Sequence, residues 1–173
     1  MARDDRAGGS PKGPKRAIVV EDPTDIRAFQ RLDPRTTTSG RLRDEDLSAL
    51  AALGIRHVVN LALDNHPEAL ADEADKLAAL GIGYTHIPVP FDAPGDPHYR
   101  AFVAALAYAG EAPVQVHCIM NYRVAAFFYR WNREIGGMDG AAATALLACQ
   151  WDPRTSDRKE ARPWAEFLAR TGI

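Results

Sequence analysis

Histidine, cysteine and arginine lie close together in the segment "PVQVHCIMNYRVAAFFYR", which occupies residues 113–130. A short apolar run leads into His117 and Cys118, four residues separate Cys118 from Arg123, and a long apolar run follows. A cysteine at a helix start and near an arginine is readily held as the thiolate, which is the nucleophilic form. The arginine itself offers two parallel hydrogen bonds to an oxyanion. The segment therefore predicts a cysteine nucleophile beside a binding site for an oxyanion.

The connection between the predicted strand and the predicted helix over 124–135 is short. A tight loop that enters a helix directs several backbone N–H groups at one point, where the helix dipole adds positive potential. Tyr122 is expected either to form the rim of the site or to anchor the loop by packing. The loop backbone is predicted to bind the anion, and its residues are Ile119, Met120, Asn121 and Tyr122.

Helix-like runs that end at a glycine alternate with β-rich runs before this segment. The helical runs cover 44–54, 66–81 and 96–110, with Pro67 in the first turn of the second, and end at Gly54, Gly81 and Gly110. The β-rich runs cover 55–63, 82–89 and 113–118. This alternation predicts a parallel sheet with helices on its faces. Ligands bind such sheets beyond the carboxyl ends of the strands, which is where Cys118 lies.

Residues 17–173 are expected to form one three-layer α/β/α domain, with a central, mainly parallel sheet of about four strands. A further short strand is expected near 17–20 or 35–39, and residues 1–16 are expected to be a mobile tail. Helix 124–135 is apolar nearly all round and is therefore predicted to be the buried central helix. Further helices are expected over 140–148 and 160–170, with the charged segment 151–164 as a surface loop.

The composition of the chain excludes several classes of function. Its 173 residues are 46% hydrophobic and 25% charged, and the formal net charge of −2 gives no reason to expect nucleic acid or a membrane as a partner. Two cysteines in a chain of this length favour free thiols in a reducing cytoplasm over a disulfide framework. The histidines lack metal-ligand spacing, so neither a metal nor another cofactor is expected.

Several other residues are interpreted as structural. His66 precedes Pro67 and is expected to start a helix. Cys149 lies in an apolar helical run and is expected to pack in the core. Arg130 and Arg133 are expected to lie on a solvated helix face.

The order of His117, Cys118, a short loop, Arg123 and a helix resembles the phosphate loop of cysteine-dependent protein tyrosine and dual-specificity phosphatases. Upstream, "TTSGRLRDEDLSALAALGIRHVVNLAL" resembles the start of the small bacterial branch of that family. The resemblance covers about residues 30–135. It implies a phosphocysteine intermediate on Cys118, with Arg123 and the loop amides on the phosphoryl oxygens and His117 supporting the loop and the thiolate.

This family also uses an aspartic acid on a separate loop to protonate the leaving oxygen. The corresponding loop is "IPVPFDAPGDPHYR", in which Asp92 occupies the position of that acid. A turn residue before Ala93 and Pro94 is the alternative interpretation of Asp92. Asp96 is the reserve candidate for the acid, although capping of the following helix is the better interpretation of it.

Two functions besides phosphomonoester hydrolysis stay open. The phosphatase signature has five residues between cysteine and arginine, usually with a glycine, whereas this chain has four and would use Asn121 for the left-handed turn. A loop of four residues is common in rhodanese-like sulfurtransferases, in which Cys118 would carry a persulfide. A third possibility is a non-catalytic module that binds phosphate. The expected substrate is a phosphorylated protein or a small phosphomonoester.

Overall fold

A five-stranded sheet forms the centre of the structure, a computed structural model that describes residues 21–170. Its order is β1-β2-β5-β3-β4, and every neighbouring pair is parallel except the short antiparallel pair β1 and β2. The mainly parallel sheet predicted from the sequence is confirmed, with β1 as an added edge strand. The strands are β1 (Gln30–Arg31), β2 (Thr36–Ser39), β3 (His57–Asn60), β4 (Gly83–His86) and β5 (Val114–His117).

Six helices are described between residues 21 and 170, and they cover both faces of the sheet. Val58 and Val59 are neighbours in β3, yet they belong to two different apolar cores because successive side chains in a strand point to opposite faces. The predicted three-layer architecture is therefore confirmed. The helices are α1 (Asp46–Ala52), α2 (Glu73–Ala79), α3 (Asp96–Ala109), α4 (Tyr122–Glu134), α5 (Gly140–Ala148) and α6 (Ala161–Ala169).

The smaller core lies under α1 and α2 and contains Leu50 and Leu77. The larger core lies on the other face and is built around α4, whose Val124 and Phe127 are fully buried. The prediction that this helix is the buried central one is confirmed. No helix within residues 21–170 has the length and apolar character required to cross a membrane.

Some helix boundaries and side chains differ from the sequence prediction. The second helix begins at Glu73 rather than at Pro67, because 64–72 is a series of turns held by local backbone hydrogen bonds. Cys149 is exposed at the end of α5, so its predicted place in the core is wrong. By contrast, Gly54, Gly81 and Gly110 all have positive φ, as predicted for glycines at helix ends. The predicted tail 1–16 and the optional strand at 17–20 lie outside the described residues.

Arg130 was predicted to be solvated, yet only 1% of its surface is exposed. Its guanidinium lies 4.0 Å from the ring centre of Tyr99 and donates hydrogen bonds to Asp96 and Glu134 at 2.9 and 3.1 Å. The apolar face of α4 therefore contains a cation that joins α4 to the start of α3. The aliphatic stem and the planar fork of arginine make such burial feasible when carboxylates are present.

We expect Arg130→Ala to lower the free energy of unfolding by about 3 kcal/mol, because removing one partner leaves a partly buried carboxylate unpaired. Urea denaturation followed by circular dichroism measures this change. The matched control is Arg133→Ala on the exposed side of the same helix, which should change the free energy of unfolding by no more than about 0.5 kcal/mol. Equal losses in the two variants would contradict a structural role for the buried cation.

Candidate active site

Cys118 follows β5 directly, at the carboxyl edge of the sheet and between the ends of two parallel neighbours. Its amide donates to the Ser39 carbonyl at 3.3 Å, and the carbonyl of His117 accepts from the Leu61 amide at 2.9 Å. The cysteine is 0% exposed, and its thiol is free. The ends of β2, β5 and β3 therefore fix the backbone on either side of the candidate nucleophile.

Asn121 makes the turn between Cys118 and the helix. Its φ of 65° and ψ of 7° lie in the left-handed region, as predicted. Its fully buried side chain donates from Nδ2 to the Ala28 carbonyl at 2.9 Å and to Thr38 Oγ1 at 3.0 Å. The amide side chain thus fastens the loop to the segment before β1 and to β2. It is the backbone of Asn121, rather than its side chain, that stays a candidate for binding an anion.

Gly40 and Arg41, which directly follow β2, hold the other side of the loop. The amide of Arg41 donates to the Ile119 carbonyl at 2.9 Å. A Cβ atom on Gly40 would lie only 2.6 Å from the same carbonyl oxygen, a distance that real Cβ atoms do not tolerate. Glycine is therefore required at position 40 for the loop backbone to approach this closely.

Arg123 lies in the first turn of α4 and is only 6% exposed. Its Nε donates to the Val89 carbonyl at 2.9 Å, and its guanidinium carbon lies 5.1 Å from the ring centre of Phe91. Within residues 21–170, its two terminal nitrogens have no protein acceptor. The segment after β4 therefore orients the guanidinium while leaving one edge of it available to an oxyanion.

His117 is buried beside Glu73, a residue that the sequence analysis did not identify. Its Nε2 lies 2.7 Å from one oxygen of Glu73, whose other oxygen accepts from Asn60 at 2.8 Å and from the Tyr84 hydroxyl at 3.2 Å. Burial alone raises the pKa of Glu73, but the neighbouring His117 and these hydrogen bonds outweigh burial and hold the pKa below its ordinary value. Glu73 is therefore a carboxylate at neutral pH and orients the imidazole next to Cys118.

A cavity of about 250 Å³ opens above Cys118. Its lining combines predicted site residues with three residues that were not predicted to belong to the site. The predicted ones are Cys118, Ile119, Met120, Tyr122 and Arg123, and the additional ones are His66, Phe91 and Arg158.

His66 does not start a helix, and its interpretation as a helix start is wrong. It lies in the turns after β3, where its Nδ1 accepts a hydrogen bond from the Glu68 amide at 3.1 Å. Because an amide N–H is always the donor, the neutral ring carries its proton on Nε2. The ring therefore brings a hydrogen-bond donor to the cavity. The sequence offered one signal that His66 belongs to the site, namely its position shortly after the end of a predicted strand.

The two candidate acids occupy different environments. Asp92 is exposed in a turn and follows Phe91, which lines the cavity, although Asp92 itself does not. Asp96 begins α3 after Gly95, the capping residue, so the predicted capping role of Asp96 is wrong. Hydrogen bonding to Arg130 holds the pKa of Asp96 below its ordinary value, and its carboxylate is therefore engaged away from the cavity.

The chain has no match among protein-family models or among curated proteins. Among solved structures it is similar to "Putative phosphatase (DUF442)" from Shewanella putrefaciens CN-32, with 28% identity and a TM-score of 0.72 over 86% of this chain and 93% of that one. A second similar structure is TpbA from P. aeruginosa in complex with pTyr, with 19% identity and a TM-score of 0.66 over 83% and 84% of the two chains. A third is the core catalytic domain of the PP-IP phosphatase SIW14 from S. cerevisiae, with 13% identity and a TM-score of 0.68 over 85% and 86%.

The first and third of these neighbours are phosphatases by name, the second is in complex with phosphotyrosine, and the chain has their fold. The resemblance found in the sequence is therefore confirmed. In this fold the cysteine, three of the four loop residues and the arginine line one cavity, even though the loop is one residue shorter than the usual signature.

We expect Gly40→Ala to lower kcat/KM for an aryl phosphate by about 10- to 100-fold, because the added methyl group displaces the Ile119 carbonyl and with it the loop. Steady-state kinetics together with inhibition by vanadate measures the effect. Gly140→Ala is the matched control, since its Cβ meets only the flexible end of Arg133. Full activity and unchanged vanadate inhibition in Gly40→Ala would show that the close approach is unimportant.

Proposed function

We propose that the protein is a cysteine-dependent phosphomonoesterase that works through a phosphocysteine intermediate. The observation that supports this proposal is the shared cavity of Cys118, the loop after it and Arg123, at the carboxyl edge of a phosphatase-type sheet. Phosphoryl transfer needs a nucleophile, donors for three non-bridging oxygens and a proton for the leaving group. The cavity and the loop that follows Phe91 offer a candidate for each of them.

In the first step the Cys118 thiolate attacks phosphorus, and the bond from phosphorus to the ester oxygen breaks. Loop amides and the free edge of Arg123 bind the non-bridging oxygens, where negative charge is spread in the transition state. Because Arg123 is oriented by Val89 and Phe91 before substrate arrives, little reorganisation is needed. His117, held by Glu73, keeps the cysteine backbone in place.

The leaving oxygen needs a proton, and Asp92 is our proposed donor. It follows Phe91 on the loop that borders the cavity, and its exposed side chain is unconstrained by an ion pair with any residue in 21–170. Water then attacks the phosphocysteine with Asp92 as base, which releases inorganic phosphate and restores the thiolate. His66 is the competing proton donor, because it lines the cavity itself.

Two other activities have less support. Sulfur transfer is favoured only by the loop length, whereas the fold is that of phosphatases. A non-catalytic phosphate-binding module would need Arg123 and the loop amides but not the thiol. For the substrate we propose a phosphorylated protein or a small phosphomonoester, a class supported by the TpbA structure with phosphotyrosine.

The decisive test is the hydrolysis of para-nitrophenyl phosphate by the wild type, Cys118→Ser and Arg123→Ala. We expect Cys118→Ser to reduce turnover to background and Arg123→Ala to lower kcat by about 100- to 1,000-fold, since a preorganised donor to the transition state is lost. Rapid quenching should trap a phosphocysteine in the wild type. Arg133→Ala is the matched control and should retain full activity.

Phosphatase activity that persists in Cys118→Ser would sink the proposal. Thiosulfate-to-cyanide sulfur transfer that depends on Cys118 would support the sulfurtransferase alternative. Phosphate binding without turnover in either assay would support the binding module.

Leaving groups of different basicity identify the proton donor. If Asp92 is the acid, Asp92→Asn should slow phenyl phosphate about 100-fold and para-nitrophenyl phosphate much less, because the better leaving group needs no proton. His66→Gln, which retains a side-chain N–H donor, should affect the two substrates alike. If instead His66→Gln lowers kcat/KM for phenyl phosphate far more than for para-nitrophenyl phosphate and Asp92→Asn does not, His66 is the proton donor.

A further inference from the structure

We propose that Arg158 binds a second anionic group of the substrate, so that this enzyme acts on phosphomonoesters that carry an additional phosphate or carboxylate. The inference rests on the proposed phosphatase function and extends it to the substrate class. It comes from a second arginine in the cavity that the catalytic steps do not use.

The two arginines of the cavity contact different rings of one aromatic cluster. Arg123 lies 5.1 Å from the ring centre of Phe91, and Arg158 lies 5.6 Å from that of Tyr122. Both rings stack on Trp151, with centroid separations of 5.8 Å for Phe91 and 4.8 Å for Tyr122. The indole N–H of Trp151 also donates to the Tyr122 carbonyl at 3.1 Å. This cluster of three rings, which we call the aromatic row, therefore links the two arginines that line the cavity.

The backbone at Arg158 is held locally, while its guanidinium is available. Its amide donates to Ser156 Oγ at 3.3 Å, and its carbonyl accepts from the Ala161 amide at 2.9 Å at the start of α6. Within residues 21–170 the guanidinium forms no ion pair. Arg154, four residues earlier in the same segment, is by contrast paired with Asp152 at 2.6 Å. A cation in the wall of a cavity and without a protein carboxylate is suited to an anionic ligand.

The cavity between the two arginines is mostly apolar. A phosphoryl group bound at Arg123 and the loop amides leaves the substrate body against Phe91, Tyr122 and Met120. A second anion has no favourable place against these side chains, but it meets a positive charge at Arg158. The expected substrate therefore has its transferred phosphoryl group at one end, an apolar or aromatic body, and an oxyanion at the other end.

The test compares 4-carboxyphenyl phosphate with 4-carbamoylphenyl phosphate, which have the same shape but differ in the second anion. Both ligands are titrated calorimetrically into Cys118→Ser, with and without Arg158→Gln, so that the result does not depend on turnover. We expect the carboxylate ligand to bind about fivefold more weakly after Arg158→Gln and the carbamoyl ligand to bind equally well, with the difference shrinking at higher salt. The matched control is Arg162→Gln, an exposed arginine of α6 paired with Glu166.

A second arm identifies the source of the anion by using phosphotyrosine peptides with Glu or Gln beside the phosphorylated residue. If Arg158→Gln weakens the binding of 4-carboxyphenyl phosphate alone, the subsite serves small molecules. If it also weakens the binding of the Glu peptide, the subsite serves acidic phosphopeptides. Affinities that Arg158→Gln leaves unchanged for every ligand, or lowers no more than Arg162→Gln does, would overturn the inference. If the wild type binds the carboxylate ligand more tightly than the carbamoyl ligand but hydrolyses neither, the proposed hydrolysis is refuted and the subsite is not.

Discussion

The whole site depends on the left-handed conformation of Asn121 and on the two hydrogen bonds that hold it. A four-residue loop without glycine must reverse its direction at a residue that has a side chain, which is costly unless that side chain is well bonded. Asn121 is fully buried, and its donors are used on Ala28 and Thr38. One amide group thereby sets the loop backbone, the start of α4 and the position of Arg123. This explains how a loop shorter than the usual phosphatase signature still closes around the cavity beside Cys118.

The two faces of the sheet support two different residues around Cys118. From the α2 side, Glu73 holds His117 at 2.7 Å. From the other side, Val89 and Phe91 hold Arg123. Because His117, next to Cys118, and the guanidinium of Arg123 are fixed by different layers, the relative geometry of Cys118 and Arg123 requires that both layers pack correctly on β5. The apolar cores on the two sides of the sheet therefore support the geometry of the candidate site as well as the stability of the fold.

The sequence was sufficient to predict the fold and to predict that Cys118, the loop and Arg123 lie together, because these features follow from local patterns. Hydrophobic periodicity identified α4, and the tolerance of asparagine for positive φ identified the turn at Asn121. The misinterpretations concern contacts between distant segments. Arg130 is buried because Asp96 and Glu134 accept its hydrogen bonds. His66 lines the cavity because the turns after β3, to which it belongs, lie beside Cys118. Glu73 resembles any acid in a helical first turn until β5 brings His117 to it, and no single-sequence pattern records such a pairing.

The aromatic row has an optical consequence. Trp151 stacks on two rings that line the cavity, and its indole N–H is bonded to the backbone at the entrance to α4. A molecule that fills the cavity and shifts either ring alters the polarity and the quenching groups around this indole. Trp151 is one of three tryptophans in the chain, and we expect its contribution to the intrinsic fluorescence to change when the site is occupied, without any attached label.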